Sequence, residues 1–86
     1  MNSFRLKVST PNGNVFDSLI TEIILRGTEG ELAVLANHIP FMTTVLPCVC
    51  KIILGDEREL KAKTDGGILT VAKECTTLLC GSFEEN

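Results

Sequence analysis

The sequence predicts an all-β fold, a β-sandwich or barrel of short and mostly antiparallel strands. Short runs of alternating apolar and polar residues recur along the chain, separated by turn signals about every ten residues. No segment keeps apolar residues at helical spacing over three turns. β-Branched residues dominate the longest apolar stretch, residues 19–26, and suit the pleated surface of a sheet.

The first half of the chain begins with two strands. Residues 3–10 alternate cleanly and predict a half-buried strand. Asn12 and Gly13 follow it, and this dipeptide between alternating runs is a strong hairpin signal because both residues tolerate positive φ. Residues 19–26 predict the next strand, which ends at Gly27. Its inward face is expected to carry Leu19, Ile23 and Leu25.

The second half predicts further short strands and turns. Residues 49–54 are nearly all apolar, so we expect both faces of that strand to be covered, and Leu60 and Ala62 are expected to point inward. The final residues, 82–86, are expected to be a solvated, frayed tail. The further strands are predicted at residues 31–35, 41–46, 49–54, 58–64, 68–72 and 76–80.

Length and composition indicate one globular domain, residues 1–86. The 86 residues leave no room for a second domain, and 44% hydrophobic with 22% charged residues argues against disorder. A net charge of −3, no basic stripe and only four Phe as aromatics argue against nucleic acid binding. The N-terminus alternates instead of forming an apolar run, and no run is long enough to span a bilayer. We expect a soluble, cytoplasmic chain without direct membrane insertion.

Residues 27–47 interrupt the regular alternation. This stretch holds Glu29, Glu31 and the only histidine, His38, and Pro40 cannot donate to a strand ladder. Loops that carry polar groups on a rigid scaffold are common sites of function. The alternative interpretation is a wide turn of a β-sandwich without a role of its own.

The four cysteines are expected to be reduced and to behave as small hydrophobic residues. We expect Cys48 and Cys50 to point to opposite faces of a strand, and so not to ligate one metal. Their spacing also misses the Cys-x-x-Cys pattern of structural zinc sites, as does that of Cys75 and Cys80. A metal site or a disulfide framework is the alternative.

The chain carries no motif for catalysis or cofactor binding. A lone histidine such as His38 is more often structural than catalytic, and no family-type motif surrounds a cysteine. Gly27-x-x-Gly30 lacks the third glycine and the helix that a dinucleotide loop requires. No P-loop and no metal-ligand spacing are present. We therefore expect no catalytic residue, no metal and no cofactor, and a domain that binds a partner.

Three segments carry a family resemblance. The central segment is Gly27-Thr-Glu-Gly-Glu-Leu-Ala-Val-Leu-Ala-Asn-His-Ile-Pro-Phe-Met-Thr-Thr-Val-Leu-Pro47. The flanking segments are Phe4-Arg-Leu-Lys-Val-Ser-Thr-Pro-Asn-Gly-Asn-Val-Phe16 and Gly66-Gly-Ile-Leu-Thr-Val71. In this order they resemble the epsilon subunit of F-type ATP synthases, whose motif is close to Gly-x-x-Gly-Glu-Leu-Gly-Val-Leu-Pro-Gly-His-Ala-Pro-Leu-Leu-Thr-x-Leu-x-Pro-Gly. The resemblance covers about residues 4–81.

The chain departs from that pattern in three places. Ala36-Asn37 replaces Pro-Gly before the histidine, a mild change because Asn tolerates left-handed geometry. Cys48 replaces the glycine after Pro47, so we expect a different turn there. Many family members continue into a C-terminal helical hairpin linked to inhibition and ATP sensing. We expect the chain to lack that hairpin.

The resemblance implies a flattened β-sandwich or barrel of about ten short strands. It also implies a non-catalytic rotor subunit in the central stalk, coupling the gamma subunit to the c ring during proton-driven ATP synthesis. It implies a peripheral position on the cytoplasmic face of the bacterial membrane. The c-ring contacts are expected at Glu29, Gly30 and Glu31, with Glu31 the direct contact. The gamma contacts are expected at His38, Ile39, Pro40, Phe41 and Met42, and the isolated domain is expected to be able to self-associate through that exposed surface.

Other interpretations stay open for the same residues. Glu31 could be a solvated turn carboxylate, and Phe41 and Met42 could be plain core. The whole chain could be a stand-alone β-sandwich adaptor in another complex, which a different obligate partner would reveal. It could also be a small cysteine- or metal-dependent enzyme, which bound metal or a thiol reactive near neutral pH would reveal.

Overall fold

The computed structural model describes residues 2–37 and 39–85, and these residues form nine strands. The all-β prediction is confirmed, with nine strands where about ten were expected. No helix occurs in the described ranges, so none of their segments is a helix long and apolar enough to cross a membrane. The strands are β1 Phe4–Thr10, β2 Gly13–Gly27, β3 Gly30–Leu35, β4 Phe41–Val45, β5 Cys48–Leu54, β6 Glu59–Thr64, β7 Gly67–Val71, β8 Cys75–Cys80 and β9 Phe83–Glu85.

Strand β2 links the two layers of the domain. Fifteen residues in a straight strand would extend about 50 Å, whereas the longest dimension of the domain is 30 Å. The strand therefore bends, and its register against β5 shifts between Ile20 and Glu22. Its first half pairs with β1, and its second half pairs with β3 and β5.

The sheet folds over itself into two layers. The first layer contains the first half of β2 followed by β1, β8, β7 and β4; the second contains β3, the second half of β2, β5, β6 and β9. Neighbouring strands are antiparallel except β1 and β8, which run parallel. The layers also meet where Gly27 of β2 pairs with Val45 of β4. This two-layered arrangement is consistent with the predicted sandwich.

The core lies between the layers and takes alternate residues from both. Leu6, Leu69 and Leu78 come from the first layer, and Ile23 and Ile52 come from the second; all five are fully buried. The alternation predicted from the sequence supplies this core, because period-two spacing sends every second side chain inward. The buried hydroxyls of Thr21 and Thr64 donate hydrogen bonds to the backbone carbonyls of Ile53 and Ser82.

Two predictions of side-chain burial are wrong. Leu19 was expected inward but is 50% exposed, while its neighbour Ile20 is buried. The register shift after Ile20 inserts one residue and reverses which alternate side chains face inward. Residues 49–54 were expected to be covered on both faces, yet Val49 is 51% exposed and Lys51 is exposed. The outer face of β5 meets solvent, because no third layer covers it.

The C-terminal segment also differs from the expected frayed tail. Residues 83–85 form β9, which pairs with Thr64, Lys63 and Ala62 of β6. Phe83 is half-buried and its ring lies 6.2 Å from that of Phe16, centroid to centroid. This contact fastens the end of the described chain to the first half of β2.

The two substitutions in the family pattern have different consequences. Asn37 adopts φ 69°, so asparagine takes the left-handed position that the resemblance assigns to glycine. Cys48, in contrast, is not among the described residues with positive φ and begins strand β5. The backbone at Cys48 therefore does not need the conformational freedom of glycine.

Candidate functional site

The acidic turn, residues 28–31, joins β2 to β3. Gly27 and Gly30 pair directly across it, which places Thr28 and Glu29 at the tip. Gly30 has φ +119°, a conformation that side-chain-bearing residues rarely adopt, so the local geometry itself requires glycine there. Glu29 and Glu31 are exposed. Their carboxylates are presented to solvent on a turn that the strand pairing holds fixed.

The acidic turn lies at one end of the domain together with four other turns. Gly27 pairs with Val45, Val45 with Gly67, and Gly67 with Cys80, so the strand ends follow one another across the sheet. The Leu46 amide donates a 2.8 Å hydrogen bond to the Arg26 carbonyl and ties the β4–β5 turn to β2. We call this the turn end; its turns are residues 11–12, 28–29, 46–47, 65–66 and 81–82.

The second predicted group lies away from the turn end. His38 falls outside the described residues. Ile39 is 82% exposed, and Pro40 is also exposed. Phe41 is half-buried against the core, whereas Met42, next to it in β4, is 68% exposed. Phe41 therefore contributes to the core and Met42 does not, because their side chains point to opposite faces of the strand.

The structure does not bring the two predicted groups together. Phe41 begins β4 and Val45 ends it beside the acidic turn. They are four residue positions apart along the strand, a distance of about 13 Å. The two groups therefore belong to separate surfaces of one domain.

A surface without charged side chains surrounds Met42, and sequence reasoning missed most of it. Met42 pairs with Thr70, and Ile68 pairs with both Thr44 and Leu79. Met42, Leu79 and Ile68 are 68%, 52% and 39% exposed. Alternation in each strand could have suggested these positions, but only the strand order shows that they are neighbours. We call this surface the uncharged face, formed by Met42, Thr44, Ile68, Thr70, Thr77 and Leu79.

The cysteines do not form a reactive centre in the described chain. The expectation that Cys48 and Cys50 point to opposite faces is wrong, because side chains two residues apart in a strand share a face. All four cysteines are free thiols. Burial raises the pKa of Cys50 to about 12, with further contributions from the neighbouring Cys48 and Cys80 thiols. A catalytic thiol needs a depressed pKa, so Cys50 is a structural residue.

Two open surfaces of the described chain offer different kinds of contact. Within residues 2–37 and 39–85, no group of three His, Cys, Asp or Glu side chains is placed to hold a metal ion. The acidic turn and the uncharged face are open surfaces, one offering carboxylates and the other apolar and hydroxyl groups. Surfaces of this kind suit contacts with other proteins.

Comparison with known proteins identifies the family. Residues 3–86 match the family described as ATP synthase, delta/epsilon chain, beta-sandwich domain. The chain belongs to this family. The family resemblance found in the sequence is thereby confirmed, and the match extends over nearly the whole chain, including β9.

Curated relatives are longer than this chain. The chain is 39% identical over 82 residues to the sodium ion specific ATP synthase epsilon chain of Acetobacterium woodii, covering 95% of this chain and 62% of that one. It is 35% identical to the ATP synthase epsilon chain of Clostridium novyi, with 95% and 63% covered. It is 27% identical to that of Wolbachia pipientis, with 98% and 74% covered. The chain thus spans less than two thirds of the first and second of these relatives.

Solved structures share the fold. A chain of the Euglena gracilis mitochondrial ATP synthase, in a structure of OSCP, F1 and the c-ring, superposes with a TM-score of 0.89 at 16% identity. That match covers 96% of this chain and 53% of the other. A chain of the Tetrahymena thermophila central stalk and c-ring gives 0.75 at 14% identity, with 95% and 66% covered. At these identities the likeness establishes the fold alone.

Proposed function

We propose that this chain is an epsilon-type rotor subunit of a rotary ATP synthase, which couples the gamma subunit to the c ring and performs no chemistry itself. The match of residues 3–86 to the delta/epsilon family carries the proposal. Two separate surfaces on one small domain support it, since a coupling subunit must contact two partners at once. The chain acts as a peripheral subunit at the cytoplasmic face of the bacterial membrane.

The acidic turn is the proposed c-ring contact. Glu29 lies at the tip of the turn, and Gly30 and Glu31 are the first two residues of β3 beside it. Arg26 is the cross-strand neighbour of Glu31, yet the described residues show no ion pair between them. The Glu31 carboxylate therefore stays available for a polar group of a partner loop.

The gamma contact includes the expected residues Ile39, Pro40 and Met42 and extends across the uncharged face. Phe41 supports it from the core side. His38 completes the predicted set. Exposed apolar patches on small proteins commonly mark protein interfaces. The same face gives the isolated domain a surface for self-association, so a folded monomer and a weak dimer are both expected in solution.

The first experiment is co-elution of the chain with the gamma subunit from the same genome. The expected result is a stoichiometric complex at tens of micromolar, which an interface of standard size populates well. Leu79→Asp should abolish the complex, since it buries a charge in the interface. Val15→Asp is the matched control, because Val15 is 46% exposed on a different part of the surface. A folded chain that binds no gamma subunit would favour the adaptor interpretation.

The second experiment tests the acidic turn. Glu31→Lys should weaken association of the chain–gamma complex with purified c ring while leaving folding intact. Glu74→Lys makes the same charge change in the β7–β8 turn, away from the turn end, and should have no effect. Equal weakening by both variants would mean that net charge, and not the acidic turn, governs ring binding. Loss of the folded monomer in Glu31→Lys would contradict the assigned role.

A further inference from the structure

Four cations gather on the outer face of the second layer. Arg26 projects from β2, Lys51 from β5, and Lys61 and Lys63 from β6; all four are exposed. Lys51 pairs directly with Lys61, and Val49 with Lys63. Half of the eight basic residues of a chain with net charge −3 therefore occupy adjoining positions on one surface. We call these four residues the cationic face.

The charges of the cationic face are poorly neutralised. Lys51 pairs with Glu59 at 3.3 Å, which is the only ion pair that a member of the face makes among the described residues. Lys63 lies opposite Glu84 across the β6–β9 pair without an ion pair. Like charges directly opposite one another destabilise a sheet. The Lys51–Lys61 pair therefore lowers the stability of the domain, and folding alone does not account for it.

A groove separates Arg26 from Lys51. Strand β2 pairs with β5 as far as Ile24 and Lys51, then leaves β5 and joins β4 at Gly27. The gap left by this divergence has a volume of about 450 Å³. Its exposed wall is mixed, with slightly more polar than apolar surface, and includes Val49, which is 51% exposed. The groove is lined by Ile24, Leu25, Arg26, Glu31, Pro47, Cys48, Val49 and Lys51.

We propose that the cationic face docks an acidic segment of another polypeptide, whose carboxylates contact the four cations and one of whose side chains lies beside Val49 in the groove. Charge complementarity on a narrow surface supports this docking. Glu31, Glu84 and Glu59 border the cations on three sides. Adjacent strands lie about 4.8 Å apart, so the patch is only a few strands wide. That width suits one segment crossing the strands, whereas a broad anionic bilayer would also meet the acidic border.

This docking surface is separate from the proposed gamma contact and adjoins the acidic turn. The uncharged face lies on the outer side of the first layer, and the cationic face lies on the outer side of the second. Glu31 of the acidic turn lines the groove beside Arg26. An acidic segment can therefore bind while the gamma contact is occupied, and its failure to bind would leave that contact untouched.

The test uses a fluorescein-labelled glutamate-rich peptide and the whole 86-residue chain. Fluorescence anisotropy should show saturable binding at low ionic strength that weakens at about 150 mM salt, where charges beyond about 8 Å are screened. The double variant Lys61→Gln/Lys63→Gln should bind about fivefold to tenfold more weakly, the effect of removing two surface charge contacts. Val49→Asp should weaken binding as well, by placing a carboxylate in the groove.

The matched control is Lys7→Gln/Lys73→Gln, which removes the same charge from positions outside the cationic face. It should bind the peptide as the unmodified chain does, and urea unfolding should show that both double variants are folded. Equal weakening in the two double variants would overturn the proposal, because binding would then follow net charge alone. Absence of binding at low salt, or preferential binding to phosphatidylglycerol vesicles over the peptide, would overturn it too.

Discussion

The approach of β7 to β8 allows a sharp test of the packing at the turn end. Gly67 pairs with Cys80, and a Cβ added at Gly67 would lie 1.9 Å from the Leu79 carbonyl oxygen and 2.9 Å from its carbonyl carbon. Ordinary contact begins at 3.4 Å. Gly67→Ala therefore requires backbone atoms to separate by about 1.5 Å, roughly a third of the spacing between strands.

We expect Gly67→Ala to lower the free energy of unfolding by about 3 kcal/mol or more. Overpacking in a rigid environment costs about 1–3 kcal/mol, and each backbone hydrogen bond lost from the ladder adds about 1 kcal/mol. A domain of this length has a total stability of about 4–13 kcal/mol, so the variant falls near the limit of folding. The obstacle is backbone, which cannot swing aside as a side chain would.

Gly55→Ala is the matched control. A Cβ at Gly55 would meet only the Leu19 carbonyl oxygen at 3.6 Å, which is ordinary contact. Its unfolding free energy should change by less than about 1 kcal/mol, since the same substitution there only restricts the unfolded chain. Urea unfolding followed by far-ultraviolet circular dichroism measures the stability of both variants, because the chain contains no Trp or Tyr to report unfolding by fluorescence. Equal midpoints for the two variants would refute the close approach of β7 and β8.

Three further changes test other parts of the structure. Thr64→Val should destabilise the domain by about 1–3 kcal/mol in urea unfolding, because the buried hydroxyl donates a 2.9 Å hydrogen bond to the Ser82 carbonyl; an unchanged midpoint would exclude that bond. Phe83→Ala should destabilise it and release β9, seen as faster amide exchange in β6, whereas a frayed tail would leave both unchanged. The stability that the protonated Cys50 thiol contributes should be fully present below pH 9 and should fall as the pH rises from 9 towards 12. The reason is that the pKa of Cys50 is 9.0 in the unfolded chain and about 12 in the folded chain. Cys50→Ala should flatten that fall.

Local sequence signals were sufficient for most strands of this fold. The alternation in residues 3–10 and the Asn12-Gly13 turn act between neighbours in the chain, and β1 forms where they indicate. Strand β2 was predicted at residues 19–26 but already begins at Gly13. Alternation also predicted the inward positions of Leu60 and Ala62, which the structure confirms. Such signals depend only on side-chain spacing and turn geometry, which hold wherever the segment lies in the sheet.

Features set by distant partners were not predictable in that way. The register shift in β2 after Ile20 becomes visible only against β5, and it exposes Leu19. Strand β9 has three residues, too few for a periodic pattern, and exists because β6 offers an edge and Phe16 offers a ring contact. Contacts between segments far apart in the sequence decide both cases.

The surfaces illustrate the same limit. The acidic turn was found because Glu29, Gly30 and Glu31 are contiguous in the chain. The cationic face was not found from the sequence, because its residues come from three strands and no stretch of sequence shows a basic stripe. The uncharged face likewise joins β4, β7 and β8, which become neighbours only through the strand order. Sequence reasoning locates functional surfaces that lie on one segment and misses those assembled by the sheet.

The connection between the acidic turn and the uncharged face bears on coupling. Gly27, at the base of the turn, pairs with Val45, and Arg26 accepts the Leu46 amide hydrogen bond. Strand β4 runs from that pair to Met42 and Thr44 on the uncharged face. A force applied at the turn therefore reaches the other surface through one strand pair and three residues of extended backbone. Because backbone ladders yield little under load compared with loops, this short route suits the proposed coupling between two partners.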